Sequence, residues 1–436
     1  MKLLALFLAY DHERFIKGYP PKGSNLLMTP NVEISQLASL ISNTDELVYL
    51  DERIDTIAFD TPIDLALIFS PFEHEKRIRE LVQQLREKGK RSILFGPLPT
   101  AWQDNLPDWI DSIVSGNILN VYSEISEDLF HGALKKKYIA GTQLRYVPPN
   151  RIFSEKNNFF NKQGQYLQAI IGCCCLPQLK LYCSQNLYYG NNIFKRDLIE
   201  VIGEIISLPY KHITLIDEDI TVDPDYYHKF FTNAWNYHKH WTVQAGRRIF
   251  EYPDFIRLLA KAGTRIIFLK EDWFPPLFPG IITNEKPKYL KDELLSNQRV
   301  LREKRRQVKM LHSERMLVGA KLSLLYDSAN HYNFDIAFKL IDRLNLDFVE
   351  MKFYEPARLS VNKASPEIEL SQRHYFPMIP STDPAWLKNR FYALGHIIYR
   401  TCTRPLTLGF YNTLFYLIPY SLAYRQNYLE GIAFPP

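Results

Sequence analysis

Residues 64–97 read DLALIFSPFEHEKRIRELVQQLREKGKRSILFGP. Asp64–Ser70 is a largely apolar run, the length of a strand buried on both faces. Glu73–Gly89 is charged and amphipathic with helical spacing, and Gly89 stops it. Arg91–Phe95 is a second apolar strand, and Gly96-Pro97 turns the chain at its end. A strand, a helix and a strand at this spacing make a parallel pair joined by a crossover.

The same alternation extends in both directions. Lys2–Tyr10 is an apolar strand. Asn31–Ser42 places Ile34, Leu37, Leu40 and Ile41 on one helical face. Glu46–Leu50 and Asp111–Ser115 add strands, and a helix crosses Val121–His131. The expectation for residues 1–145 is therefore a Rossmann-like, doubly wound parallel sheet. Such sheets bind ligands beyond the carboxyl ends of their strands. The opening MKLLALFLAYDHERF is read as the first strand and not as a signal peptide. Its apolar run is short, and Asp11, His12 and Glu13 follow at once.

A polar stretch with Val147-Pro148-Pro149-Asn150 and Ser154–Gln165 marks a boundary. A second series of strands and helices follows over 146–360. Its strands are Tyr166–Gly172, His212–Ile216, Trp241–Gln244, Thr264–Leu269, Met316–Tyr326 and Phe348–Tyr354. The helices between them span Phe194–Leu208, Pro224–Lys239, Tyr252–Gly263, a part of Lys291–Ser313, and Phe334–Leu344. Six such units suggest a partial (β/α)6 TIM-like barrel, with functional groups at the carboxyl ends of its strands. Residues 361–436 form an aromatic C-terminal extension. Trp386–Thr403 is read there as a helix, and Leu408–Tyr424 as an apolar segment that Pro419 kinks or ends.

Composition narrows the partners. Of 436 residues, 46% are hydrophobic and 23% charged, a globular mix. The net charge of +5 is spread through the chain, so no concentrated basic face argues for nucleic acid. No run reaches the length of a membrane-spanning helix. Tyr and Phe number 27 each, which suits large apolar contacts. Leu408–Tyr424, between Arg404 and Arg425, could lie on a membrane surface or pack over the barrel.

Four of the five cysteines, Cys173, Cys174, Cys175 and Cys183, fall in one short stretch. That is no disulfide framework of a secreted chain, and a reducing, cytoplasmic setting fits it. Three consecutive cysteines cannot all face one core on a strand, because side chains alternate. The triplet is therefore not explained by burial alone. Asp217 and Asp219 flank one strand end on the same side of the pleat. Gln244 and Glu271 stand at two further strand ends.

The order of these features resembles the radical S-adenosylmethionine (SAM) family that carries an N-terminal cobalamin-binding domain. The likeness runs over roughly Lys2–Leu359. It rests on Lys90–Pro97, Ile171-Gly172-Cys173, Tyr182-Cys183, Tyr188-Tyr189-Gly190, Phe194-Lys195-Arg196, Ile216–Ile220, Trp241–Gln244, Lys261-Ala262-Gly263 and Glu271. The resemblance implies a [4Fe–4S] cluster, SAM and cobalamin as cofactors. By it, Cys173, Cys175 and Cys183 are the candidate metal ligands. Asp219, Gln244, Glu271 and Gly96 are candidate cofactor-binding residues, and Asp217 is the candidate catalytic residue near substrate.

The family's C-x3-C-x2-C spacing is not kept. Counting back from Cys183 puts Lys180 and Leu176 where the other two thiolates belong. Gly116-Asn117 also stands where the family often has Gly-Glu. Two readings follow. In one, cluster-dependent catalysis has been lost and the fold serves as a binding or assembly protein. In the other, an active enzyme ligates its cluster through the displaced cysteines and modifies an unactivated carbon, as by methylation.

Overall fold

The computed structural model describes residues 1–8, 31–52, 55–57, 62–71, 74–102, 106–141, 143–151, 164–172, 188–189, 192–273, 298–325, 343–356 and 375–378. Two large sheets organise them.

The first sheet contains β1 (Lys2–Phe7), β2 (Glu46–Asp51), β3 (Leu65–Phe69), β4 (Arg91–Phe95), β5 (Ser112–Ser115) and β6 (Lys137–Ile139). Its order is β2-β1-β3-β4-β5-β6, and every pairing is parallel. Successive residues bury opposite faces. Leu3, Ala5, Leu65, Leu67, Ile93 and Phe95 join one core, while Leu4, Leu6, Ala66, Ile68 and Leu94 join the other. The strand order reverses between β1 and β3, and sheets of this type bind ligands beyond the carboxyl ends of the strands at such a switch point. Strand β6 is not among the strands expected from sequence. Its three residues, Lys-Tyr-Ile, are too few to show a period.

The helix expected over Asn31–Ser42 is regular only over Val32–Leu37. Asn31 caps it, its side chain accepting the Ile34 N–H at 2.8 Å. Glu33, Ile34, Ser35, Gln36 and Leu37 are all buried, polar and apolar alike. Two bonds tie this segment to residues 148–150. Asn150 N–H donates to Ser35 O at 2.8 Å, and Ser39 Oγ to Pro148 O at 2.7 Å.

The second sheet runs β15-β14-β13-β12-β11-β10-β7. Strands β7 (Gly164–Leu167), β10 (His212–Leu215), β11 (His240–Ala245), β12 (Thr264–Leu269), β13 (Leu317–Leu325) and β14 (Phe348–Pro356) are parallel and stand in chain order. Strand β15 (Tyr375–Met378) pairs with β14 antiparallel, so part of the segment read as an extension joins this sheet. Trp386–Thr403 and Leu408–Tyr424 lie outside the described residues.

The expected strand Tyr166–Gly172 is two strands. Its first half, β7, pairs with β10. Its second half, β8 (Ile170–Gly172), leaves the sheet and pairs antiparallel with β9 (Ile193–Lys195). Phe194, expected in a helix, therefore lies in β9. The helix begins at Leu198, with the Asp197 side chain accepting the Ile199 N–H at 2.7 Å. The helix after β10 covers Pro224–Ala234 and passes into a tighter turn, Trp235–Tyr237, that ends at left-handed His238.

The linker is tied down by charge. Tyr146 Oη donates to Glu204 Oε2 at 3.0 Å, and Arg196 Nη1 reaches the same oxygen at 2.8 Å. The Arg196 guanidinium also lies 3.6 Å from the centre of the Tyr146 ring and bonds Gln168 O at 2.7 Å.

Candidate functional site

Strands β7, β10, β11 and β12 present their carboxyl ends together, and the carboxylates expected from sequence gather there. Strand β10 stops at Leu215, so Asp217 and Asp219 lie just beyond it. The pleat no longer governs them, and they turn to different partners.

Asp217 is buried and turns to the main chain. Its oxygens accept Ala169 N–H at 2.9 and 3.1 Å and Ile170 N–H at 2.9 Å. Tyr227 Oη donates to Oδ2 at 2.5 Å. Burial pushes the carboxyl up to about 7, against the pull of these donors. These bonds take the two amides at the point where β7 gives way to β8, which explains the break in the expected strand. Asp217 brackets the strand that runs on toward the cysteine segment. The base of that segment is closed by the pairing of Gly172 with Ile193. At Gly172 φ is +124°, and a Cβ there would stand 2.2 Å from Asn192 O, so only glycine fits. Cys173, Cys174, Cys175, Cys183 and Lys180 lie outside the described residues.

Asp219 turns to β11. Its Oδ1 accepts Thr221 N–H at 2.7 Å, Thr221 Oγ1–H at 2.6 Å and Gly246 N–H at 2.9 Å. Gly246 follows β11 in an extended conformation open to any residue, φ −72° and ψ 174°, yet it has no room for a side chain. A Cβ there would stand 2.4 Å from Asp219 Oδ2 and 3.0 Å from Asp272 Oδ2. The backbone of Gly246 thus runs between two carboxylates from neighbouring strand ends.

Asp272 is the residue that sequence reading passed over in favour of its neighbour Glu271. Both belong to a single turn, Glu271–Trp273, at the end of β12. Asp272 Oδ2 accepts Arg247 N–H at 3.0 Å. Its Oδ1 is buried and has no hydrogen-bond partner among the described residues. Burial raises its pKa, and the Asp219 charge adds to the rise. The signal was present in the pair Glu271-Asp272, and spacing alone does not choose between two adjacent carboxylates. Gln244 sits on β11, half-buried, and its carbonyl accepts Ile220 N–H at 3.0 Å. Lys270 Nζ lies 3.4 Å from Glu218 Oε2.

The first sheet offers a different surface. At the switch point Phe7 and Phe69 stack, with centroids 5.8 Å apart and planes at 21°. Phe95 meets Phe69 edge-on at 5.6 Å. Gly96 follows β4 with φ +109°, and a Cβ would meet the Phe69 ring at 3.1 Å. Thr100 ties the neighbouring strand ends, donating to Gly96 O at 2.9 Å and accepting Gly116 N–H at 3.1 Å. Asn117 caps the turn Ile118–Asn120, its side chain accepting Leu119 N–H at 2.9 Å.

The fold is similar to that of a solved enzyme. The chain has the fold of a radical S-adenosylmethionine methyltransferase. That enzyme is TsrM from Kitasatospora setae, with a TM-score of 0.52 and 11% identity over 82% of this chain and 72% of its own. It was solved with cobalamin and a [4Fe–4S] cluster bound. A second structure, with tryptophan substrate and the SAM analogue aza-SAM, gives the same TM-score over 81% of this chain and 73% of its own. Among curated proteins, bacteriochlorophyllide d C-12(1)-methyltransferase of Chlorobaculum tepidum is 20% identical over 353 residues, covering 77% of this chain and 75% of the relative. No family model matches the chain. Among the described residues, no helix is long and apolar enough to cross a membrane.

Proposed function

We propose that this chain is a SAM- and cobalamin-dependent methyltransferase acting on an unactivated carbon. The observation that carries the reading is the likeness to a methyltransferase over three quarters of both chains, on a fold shared with a second methyltransferase. The first half holds the corrinoid and the second half, as a partial barrel, holds SAM and the substrate.

The residues present suit these groups. The stacked Phe7 and Phe69 make an apolar floor for a planar macrocycle, and Gly96 keeps the β4 turn low beside it. The unpaired Asp272 Oδ1 is available to accept an ammonium or hydroxyl donor of SAM, with Asp219 across Gly246 from it and Gln244 two residues before that glycine on β11. SAM, when bound, supplies the methyl group. Asp217 and Tyr227 hold the strand that leads into the cysteines, and so act through position and not through contact with substrate. Cys173, Cys175 and Cys183 are the proposed cluster ligands, with three thiolates drawn from one loop.

A second reading is a binding or assembly protein without cluster chemistry. The spacing favours it, since Lys180 stands where a thiolate is required. Equilibrium binding separates neither reading from the other but tests their shared base. Purified protein is expected to bind aquocobalamin and SAM, and Phe69→Asp to lose the corrinoid alone. Failure to bind either ligand would remove both readings. Methyl transfer from labelled SAM to a tetrapyrrole acceptor then favours the enzyme.

A further inference from the structure

Glu33 and Tyr188 stand 155 residues apart in sequence and meet in the interior. Glu33 belongs to helix 32–37, which packs on the first sheet. Tyr188 belongs to the short helical turn that follows the cysteine segment. The Tyr188 hydroxyl donates to Glu33 Oε1, and both side chains are buried. The Ile118 amide, just past β5, donates to the same carboxyl. Tyr189 packs against Tyr188 with ring centroids 4.7 Å apart.

A glutamate on the inner face of a six-residue helix has no reason to be buried unless something there needs it. Polar pairs lie on both sides of the seam. Ser35, Ser39, Pro148 and Asn150 close one side of it, as described above, and Glu33 with Tyr188 closes the other. We propose that Glu33 and Tyr188 form a latch across the seam between the two halves, a pair of positioning residues that fixes the Tyr188–Tyr189 turn to helix 32–37. The latch stands whether or not the chain carries a cluster.

The latch is tied to pH. Burial pushes the Glu33 carboxyl up to about 7, and the facing groups, Tyr188 and Tyr189 with Glu218 behind them, supply no cation to offset it. A carboxyl whose pKa is raised in the closed form binds its proton more tightly there than when exposed. Closure is therefore favoured most below the ordinary carboxyl range and weakens as pH rises through about 7.

Hydrogen–deuterium exchange on the full chain tests this, read on peptides covering 31–38 and 188–195 and corrected for the intrinsic pH dependence of exchange. From about pH 6 to about pH 8.5 the wild-type peptides are expected to lose protection by about tenfold, the equivalent of one pKa unit. Tyr188→Phe is expected to lose about threefold or more at the lower pH. Glu33→Gln still accepts the tyrosine hydrogen, so its protection is expected to match the wild type at low pH and to stay level as pH rises. If Tyr188→Phe exchanges like the wild type, or Glu33→Gln keeps the pH dependence, the latch is overturned. Glu33→Ala is expected to resemble Tyr188→Phe; should it fail to fold, the other two variants decide the matter.

Discussion

Tyr227 donates its hydroxyl hydrogen to Asp217 Oδ2 at 2.5 Å, from a helix to a strand end ten residues earlier. The same carboxylate holds the Ala169 and Ile170 amides. One side chain thus decides where β7 ends and β8 begins. Asp217→Ala leaves two buried N–H groups and the Tyr227 hydroxyl without their acceptor. The expected loss is about 3 kcal/mol or more, since each buried orphan costs about 1–3 kcal/mol. Tyr227→Phe removes one donor and is expected to cost about 1 kcal/mol. Urea unfolding midpoints measure both, provided the slope is unchanged.

Gly246 and Gly203 make an opposed pair. At Gly246 a Cβ would press on the Asp219 carboxylate at 2.4 Å. Gly246→Ala is expected to destabilise by about 1–3 kcal/mol and to weaken SAM binding by displacing Asp219. At Gly203, within the helix Leu198–Ser207, nothing lies within 4 Å of the added methyl. Gly203→Ala is expected to stabilise by about 0.5–1 kcal/mol and to leave SAM binding as it was. Thermal unfolding with titration calorimetry reads both effects.

His212 and His240 face each other on β10 and β11, and His212 Nε2 lies 2.9 Å from Thr242 Oγ1. Burial lowers His212 to about 3 and His240 to about 4. Both are below the value near 6.5 of an exposed imidazole. The unfolded chain therefore takes up protons first on acidification. The stability from neutral histidine is full above about pH 6.5 and is lost as pH falls toward the folded values. Asp217 and Glu33, with raised pKa values, act in the opposite sense and blur the total. The difference between His212→Asn and wild type isolates the histidine. The variant is expected to be less destabilised, relative to wild type, at about pH 5 than at pH 7. A difference in unfolding free energy that does not change with pH would contradict the neutral buried imidazole.

Most strands of both sheets were legible as apolar runs, as in Arg91–Phe95 before Gly96-Pro97, whereas the short β6 and β15 were not. Other features depended on contacts that no period encodes. The polar face of helix 32–37 carries Glu33, Ser35 and Gln36, and nothing in its spacing distinguishes a face turned to water from one turned to another sheet. The run Tyr166–Gly172 is continuous in sequence, and only the carboxylate of Asp217, reaching from the end of β10, divides it. Alternation placed Asp217 and Asp219 on one side. They diverge because the strand has already ended at Leu215. The cluster of Asp219, Gly246 and Asp272 joins three strand ends across 54 residues, and sequence reading had found only its first member. The order of the strand-end motifs, by contrast, did carry the fold, because that order is what a parallel sheet keeps.

The most direct test of the account is the iron and sulfide content of the protein after anaerobic reconstitution, with its visible spectrum. The proposed enzyme is expected to hold about four irons per chain, the content of one [4Fe–4S] cluster, and to lose them in Cys183→Ser. Protein that folds, binds SAM and cobalamin, and yet takes up no iron would contradict cluster-dependent methyl transfer and leave the binding protein in its place.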